Sequence, residues 1–172
     1  IFDCLVGSEM CIRDRNEEQL AEEKNALRQR LVESSESGKV TMVEWNRAWQ
    51  TFTRSRDVYT TLATIEATGN HASYHSVDVM DRTALHELGA SLGRPITGLV
   101  HGAGLEDSKL VADKGYDVFD RVVRVKVDGW RSLIGAVEAS GRNAPEFACC
   151  FTSVAGRFGN GGQTDYAAAN SV

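Results

Sequence analysis

The stretch from Phe147 to Asn170 constrains this chain more than any other. It reads Phe-Ala-Cys-Cys-Phe-Thr-Ser-Val-Ala-Gly-Arg-Phe-Gly-Asn-Gly-Gly-Gln-Thr-Asp-Tyr-Ala-Ala-Ala-Asn. The apolar run Phe147 to Phe151 has strand composition, stops at the hydroxyl pair Thr152 and Ser153, and passes into a loop with four glycines. A helix is predicted to open at Tyr166. In open α/β sheets the carboxyl end of a strand leaves a crevice beside the next helix, and ligands bind there. Ser153 stands at such an end. Tyr166 and Asn170 lie one helical turn apart on one face, so the three are placed to converge on a single pocket. Ser and Gly after a strand also serve plain turn chemistry, and composition alone leaves that reading open.

A chain of 172 residues allows one domain with a core of ordinary size. Its net charge of -5 argues against a nucleic-acid footprint, which needs a clustered basic face. No apolar run approaches the roughly 18 residues of a membrane span. Cysteines stand at 4, 11, 149 and 150. The adjacent pair on a predicted strand suits a reduced, cytoplasmic interior better than a disulfide framework. His71 and His75 have metal-pair spacing but fall between a helix and a strand, so they read as incidental surface histidines and no metal is expected.

Residues 1–15 fit neither a signal peptide nor a helix. They resemble a translated library adapter, in keeping with a truncated reading frame that does not open on Met, and are set aside. Asn16 to Glu33 is predicted as a polar helix with Leu20, Leu27 and Leu31 on a thin stripe, and Ser34 to Gly38 as a flexible joint. The helix reads either as a solvated insertion or as a surface for a neighbouring domain. Residues 39–172 then form the main domain. Thr41 and Glu44 have capping-box spacing, and a long helix is expected to run to Ala67 and stop at Gly69-Asn70. Trp45, Ala48, Trp49, Phe52, Tyr59, Leu62 and Ala63 recur on its face as core residues. Tyr74 to Val79 alternates like a strand, Asp81 to Leu88 is a helix, and Pro95 to Val100 is a second strand ending at His101-Gly102-Ala103-Gly104. Tyr116 to Ala139 is a helix with Phe119, Val123, Val127, Trp130, Ile134 and Val137 on one stripe and Lys126 on or beside it. A lysine so placed either snorkels to solvent or brings its ammonium into the pocket next to Tyr166.

From about Phe52 onward the chain resembles the ketoreductase domains of polyketide and polyunsaturated-fatty-acid synthases, within the short-chain dehydrogenase/reductase superfamily. The marks are the Phe151 to Asn170 segment and His101-Gly102-Ala103-Gly104, which is similar to the superfamily's Asn-Asn-Ala-Gly in its His-x-Ala-Gly form. Ordinary short-chain reductases carry Tyr-x-x-x-Lys, whereas synthase ketoreductases carry Tyr-x-x-x-Asn with the lysine on the preceding helix. This chain has Asn170 and Lys126 at those two places. The resemblance implies an α/β fold, a partial Rossmann-like doubly wound parallel sheet with the third to fifth strands present and the first two missing. It also implies NADPH as cofactor and reduction of a 3-oxoacyl thioester on an acyl carrier protein. The other partners implied are further synthase domains of the same polypeptide.

By the same resemblance, Tyr166 is the general acid, Ser153 a second donor, and Lys126 the cation that favours the phenolate and holds the nicotinamide ribose. Asn170 orients Lys126 or a water. Hydride transfer to a ketone leaves negative charge on oxygen, so a proton donor and further hydrogen-bond donors belong at that atom. Asp78 and Val79 would contact the adenine ring, although Asp78 reads equally well as a helix cap. The Gly102 to Gly104 turn would let backbone approach the cofactor without a side chain intervening.

Four departures bear on these expectations. Leu105-Glu106-Asp107-Ser108 replaces the Leu-Asp-Asp of one stereochemical class, and Phe158 stands where the opposite class carries Trp. No Gly-rich Thr-Gly-x-x-x-Gly-x-Gly turn is present in these residues, and the arginine that selects the 2′-phosphate is missing with the second strand. Without two strands the sheet would have a gap of roughly 10 Å between the strands near Val77 and Leu99, with exposed edges. Two other readings remain: a non-catalytic structural reductase-like subdomain, and a free-standing short-chain dehydrogenase.

Overall fold

A computed structural model of the chain describes residues 17–35 and 38–171. The adapter-like residues 1–15, Cys4 and Cys11 among them, and part of the Ser34 to Gly38 joint lie outside the described residues. The chain divides between His75 and Ser76 into two compact units.

The first unit holds two helices, α1 (Glu17–Ser34) and α2 (Met42–Ala67). The capping box forms as its spacing requires. Glu44 N donates to Thr41 Oγ1 at 3.2 Å, and Thr41 N donates to Glu44 Oε2 at 2.8 Å. Those hydrogen bonds, from the Thr41 backbone first and its hydroxyl second, hold the Glu44 carboxyl below its ordinary range. Trp45, Trp49 and Phe52 stack in sequence with ring centroids 5.9 and 5.4 Å apart, and the Lys24 ammonium lies over Trp49. The expected core face of α2 is only half-buried, and no α2 residue is fully enclosed. Within this unit the stripe packs on α1, and a single helix is too narrow to cover it.

The second unit is α/β. It contains α3 (Arg82–Ser91), β1 (Gly98–His101), a 3-10 turn (Val111–Asp113), α4 (Tyr116–Ala139), β2 (Phe147–Cys150), α5 (Val154–Phe158) and α6 (Thr164–Ala169). β1 and β2 pair in parallel, with Gly98 opposite Phe147 and His101 opposite Cys150. A parallel pair needs a long crossover, and α4 supplies it. Ser140, the C-cap of α4, accepts from Ile96 N at 2.9 Å and so ties the end of the helix to the entry of β1.

α4 spans the expected residues, and Val137 of the expected stripe is its most buried residue at 0% exposed, but the rest of the stripe is only half-buried. Val122, Val125, Gly129, Ser132 and Ala136 are buried, whereas Phe119, Val123, Val127, Trp130 and Ile134 are half-buried. The small residues win because they let another helix come close. A Cβ at Gly89 of α3 would collide with the backbone carbonyl of Ala136.

The segment Tyr74 to Val79 is not a strand. Among the described residues no strand pairs with it, and alternation alone cannot form a ladder. Val77 and Val79 are half-buried while Asp78 is exposed, so burial alternates over these three residues only, and Tyr74, His75 and Ser76 are all exposed. α3 is capped by Asp81, whose carboxylate accepts from Ala84 N at 3.0 Å, and continues to Ser91. α5 lies in the stretch read as a glycine loop, and α6 opens at Thr164, two residues before Tyr166. Among the described residues, no helix is long and apolar enough to cross a membrane.

Candidate active site

The carboxyl ends of β1 and β2 bring several of the expected residues together. Lys126, halfway along α4, is 7% exposed, and its ammonium donates to the Phe151 carbonyl at 2.8 Å. Phe151 directly follows β2, and its own N–H extends the ladder by donating to His101 O at 3.0 Å. A Cβ on Gly104 would lie 3.5 Å from the Lys126 Nζ, and one on Gly102 would lie 3.6 Å from the Phe151 ring. The turn of small residues after β1 therefore runs beside the lysine amine, with Ala103 half-buried between the two glycines. Of the three N–H groups of the ammonium, Phe151 O takes one. Lys126, Val127, Trp130, Arg131, Cys150, Thr152 and Ala169 line one cavity of about 310 Å³.

His101 closes β1 with its ring turned inward, 1% exposed. Its Nε2 lies 3.1 Å from the Lys126 carbonyl, and because a carbonyl only accepts, Nε2 carries the proton. The ring packs at a tilt against Trp130 and against Gly129, whose missing side chain also makes room for Val79. A Cβ at Gly129 would stand 3.1 Å from Val79 and 3.2 Å from His101. Burial holds the imidazole below its ordinary value, and the Lys126 ammonium adds to the effect. Asp78 is exposed and accepts from Met80 N at 2.9 Å, closing the turn before α3, while the helix cap itself is Asp81.

Ser153 is the N-cap of α5. Its Oγ accepts from Ala155 N at 3.2 Å, which uses a lone pair and leaves the hydroxyl proton for another partner. Tyr166 and Asn170 sit on and just after α6, which packs on α4. Tyr166 is half-buried. Asn170 is 7% exposed and its Nδ2 donates to Tyr166 O at 2.8 Å, so that N–H group is committed to its own helix. Gly156 of α5 is packed onto this end of α6, and a Cβ there would collide with the Asn170 carbonyl.

Sequence reasoning missed one pair. Lys114 Nζ lies 2.5 Å from Asp165 Oδ1 and also donates to Asp107 O at 2.6 Å. The two side chains are 2% and 0% exposed. Asp165 adjoins Tyr166, but nothing in its spacing names a lysine 51 residues earlier as its partner.

A parallel β-α-β crossover with small residues at the first strand's carboxyl end, and a buried ammonium at the second, defines an α/β protein with its site at the strand ends. The particular family follows from comparison. The model of the KR domain matches residues 25–172, and the chain belongs to that family, the ketoreductase domains of the short-chain dehydrogenase/reductase superfamily. It is 38% identical over 122 residues to a polyunsaturated fatty acid synthase polypeptide of Thraustochytrium sp., covering 69% of this chain and 4% of that one. It is 41% identical over 102 residues to the polyketide synthase ThaG of Burkholderia thailandensis, covering 57% and 2%. Against erythronolide synthase EryA2 of Saccharopolyspora erythraea the identity is 37% over 108 residues, covering 63% and 3%. The chain therefore spans only a few per cent of the length of these multidomain relatives.

Proposed function

We propose that this segment carries the catalytic side of an NADPH-dependent ketoreductase that reduces a 3-oxoacyl chain, borne as a thioester on an acyl carrier protein, to the 3-hydroxyacyl form. The observation that carries the reading is the buried Lys126 ammonium. It is held at Phe151 O beside Gly104 and lines the cavity that Thr152 and Ala169 share. Among the described residues no carboxylate pairs with this ammonium, and Phe151 O takes only one of its three N–H groups, which leaves two for a ligand.

In this reading Tyr166 gives its proton to the carbonyl oxygen as negative charge develops there, and the Ser153 hydroxyl donates a second hydrogen bond. Lys126 favours the phenolate that Tyr166 leaves behind and holds the nicotinamide ribose with the N–H groups Phe151 does not use. Asn170 supports Tyr166 through the helix backbone. NADPH, when bound, supplies the hydride. Gly102, Ala103 and Gly104 give it a surface without large side chains, His101 supports them from beneath, and Asp78 and Val79 receive the adenine. β1 and β2 then stand as the fourth and fifth strands of a doubly wound sheet. Residues 16–38 form an insertion and joint ahead of the domain, and the remainder of a synthase polypeptide, in the cytoplasm, supplies the neighbouring domains.

NADPH oxidation by the full-length protein with a 3-oxoacyl thioester tests this. Turnover in the parent and its loss in Tyr166→Phe are expected. Parent-level turnover in that variant would remove Tyr166 from the reaction.

A further inference from the structure

The loop between β1 and α4 is fastened to the start of α6 by a buried ion pair that the proposed chemistry does not use. Lys114 reaches across to Asp165 at 2.5 Å and holds its own loop through Asp107 O at 2.6 Å. Asp165 Oδ1 also accepts from Tyr166 N at 2.9 Å, so one carboxylate oxygen joins the loop's lysine to the backbone of the tyrosine. Three weaker ties run alongside: Lys109 N to Gly162 O at 2.9 Å, and Gln163 Nε2 to Glu106 Oε1 and Ser108 Oγ at 2.5 and 3.0 Å.

Stability does not account for this arrangement. Removing two charges from water costs more than their attraction returns unless every remaining oxygen is satisfied. Asp165 Oδ2 is buried and, among the described residues, has no hydrogen-bond partner. What the pair supplies is geometry: a fixed separation between the loop after the small-residue turn and the first turn of the helix that carries Tyr166.

We propose that Lys114 and Asp165 are positioning residues, a clamp that sets where Tyr166 stands relative to the Gly102 to Lys114 loop. This rests on the ketoreductase reading for its kinetic consequence but not for its structural one. The test is hydrogen exchange together with steady-state kinetics on the full-length protein, as parent, Asp165→Asn, Lys114→Met and the uncharged pair K114M/D165N. The variants are expected to raise amide exchange at least tenfold in residues 105–115 and 162–170 together, leaving α3 and α4 unchanged. Each single variant lowers kcat at least tenfold, with KM for NADPH within twofold of the parent. In a Tyr166→Phe background, whose turnover is expected to be greatly reduced and is read at high enzyme concentration, Asp165→Asn changes what remains less than twofold, because its effect passes through Tyr166. K114M/D165N recovers the parent's thermal midpoint but not its exchange protection, and it reports on the clamp should either single variant fail to fold.

Exchange that rises in only one of the two segments, or an Asp165→Asn loss of the same size with and without Tyr166, overturns the clamp. Absence of turnover in the parent removes the reductase reading instead, and the exchange result then decides the clamp by itself.

Discussion

The His101 imidazole donates from Nε2 to the backbone carbonyl of Lys126, 3.1 Å away, across the junction of β1 and α4. The residue that ends the first strand thus holds the helix at the position from which the lysine side chain departs. Gly129, one turn further along α4, clears the space in which the ring lies.

Burial of the same ring makes the second unit sensitive to acid. Burial keeps the folded imidazole neutral below the pH at which an unfolded histidine, with its ordinary value of about 6.5, takes up a proton. The unfolded state then binds more protons than the folded one. Stability is therefore fully present above about pH 6.5 and falls as pH drops through the window below it, by at most about 1.4 kcal/mol per pH unit. Thermal midpoints measured from pH 8 to pH 5 should show this decline, and His101→Asn should flatten it.

Replacing Lys126 by Met removes the ammonium and keeps most of the stem. In the full-length protein kcat is expected to fall about 100-fold or more, the scale of losing one charge-stabilising donor. KM for NADPH should rise as well. Unchanged kinetics would take the lysine out of the site.

Two glycines on facing helices should respond in opposite directions. Gly89→Ala drives a methyl group into the Ala136 backbone and is expected to cost about 1–3 kcal/mol in urea unfolding. Gly135→Ala, within α4 and facing open space, is expected to stabilise by about 0.5–1 kcal/mol through helix propensity.

Val100, Phe147, Phe151, Val154 and Phe158 are between 57% and 79% exposed, all at or near the two-stranded sheet. The 172-residue chain by itself should bind an apolar dye such as ANS and associate with itself. Changing Phe147 and Phe151 to Ser should reduce both, as read by fluorescence and sedimentation.

NADPH binding to this 172-residue chain should be too weak for calorimetry, because its sequence holds no Gly-rich turn for the pyrophosphate. A measurable heat of binding would show that other backbone donors serve.

The sequence was legible wherever local chemistry decides. The Thr41 and Glu44 spacing set the start of α2, and the period of apolar residues set both ends of α4. Periodicity named Val137, the deepest residue of α4, but not the small residues Gly129, Ser132 and Ala136, whose burial depends on other elements such as Gly89 of α3 approaching Ala136. Residues 74–79 alternate but have no partner strand among the described residues, and strand formation is a property of a pair. α5 was hidden by its glycines, although Ser153 before Val154-Ala155 is an N-cap signal that was there to be read. In the candidate site, Lys126 was singled out through its displacement from the usual lysine position. Lys114 and Asp165 were not found, because a buried charge pair leaves no periodic trace in the chain that forms it.

The oxygen that captures the Lys126 amine belongs to the main chain of residue 151, not to its side chain, and the Phe151 ring is 61% exposed. Amino acids of different size and polarity can therefore succeed one another at 151 while the Lys126 ammonium stays in place. Lineages descended from such a domain are free to remodel that wall of the crevice, and whatever it meets there, without disturbing the amine behind it.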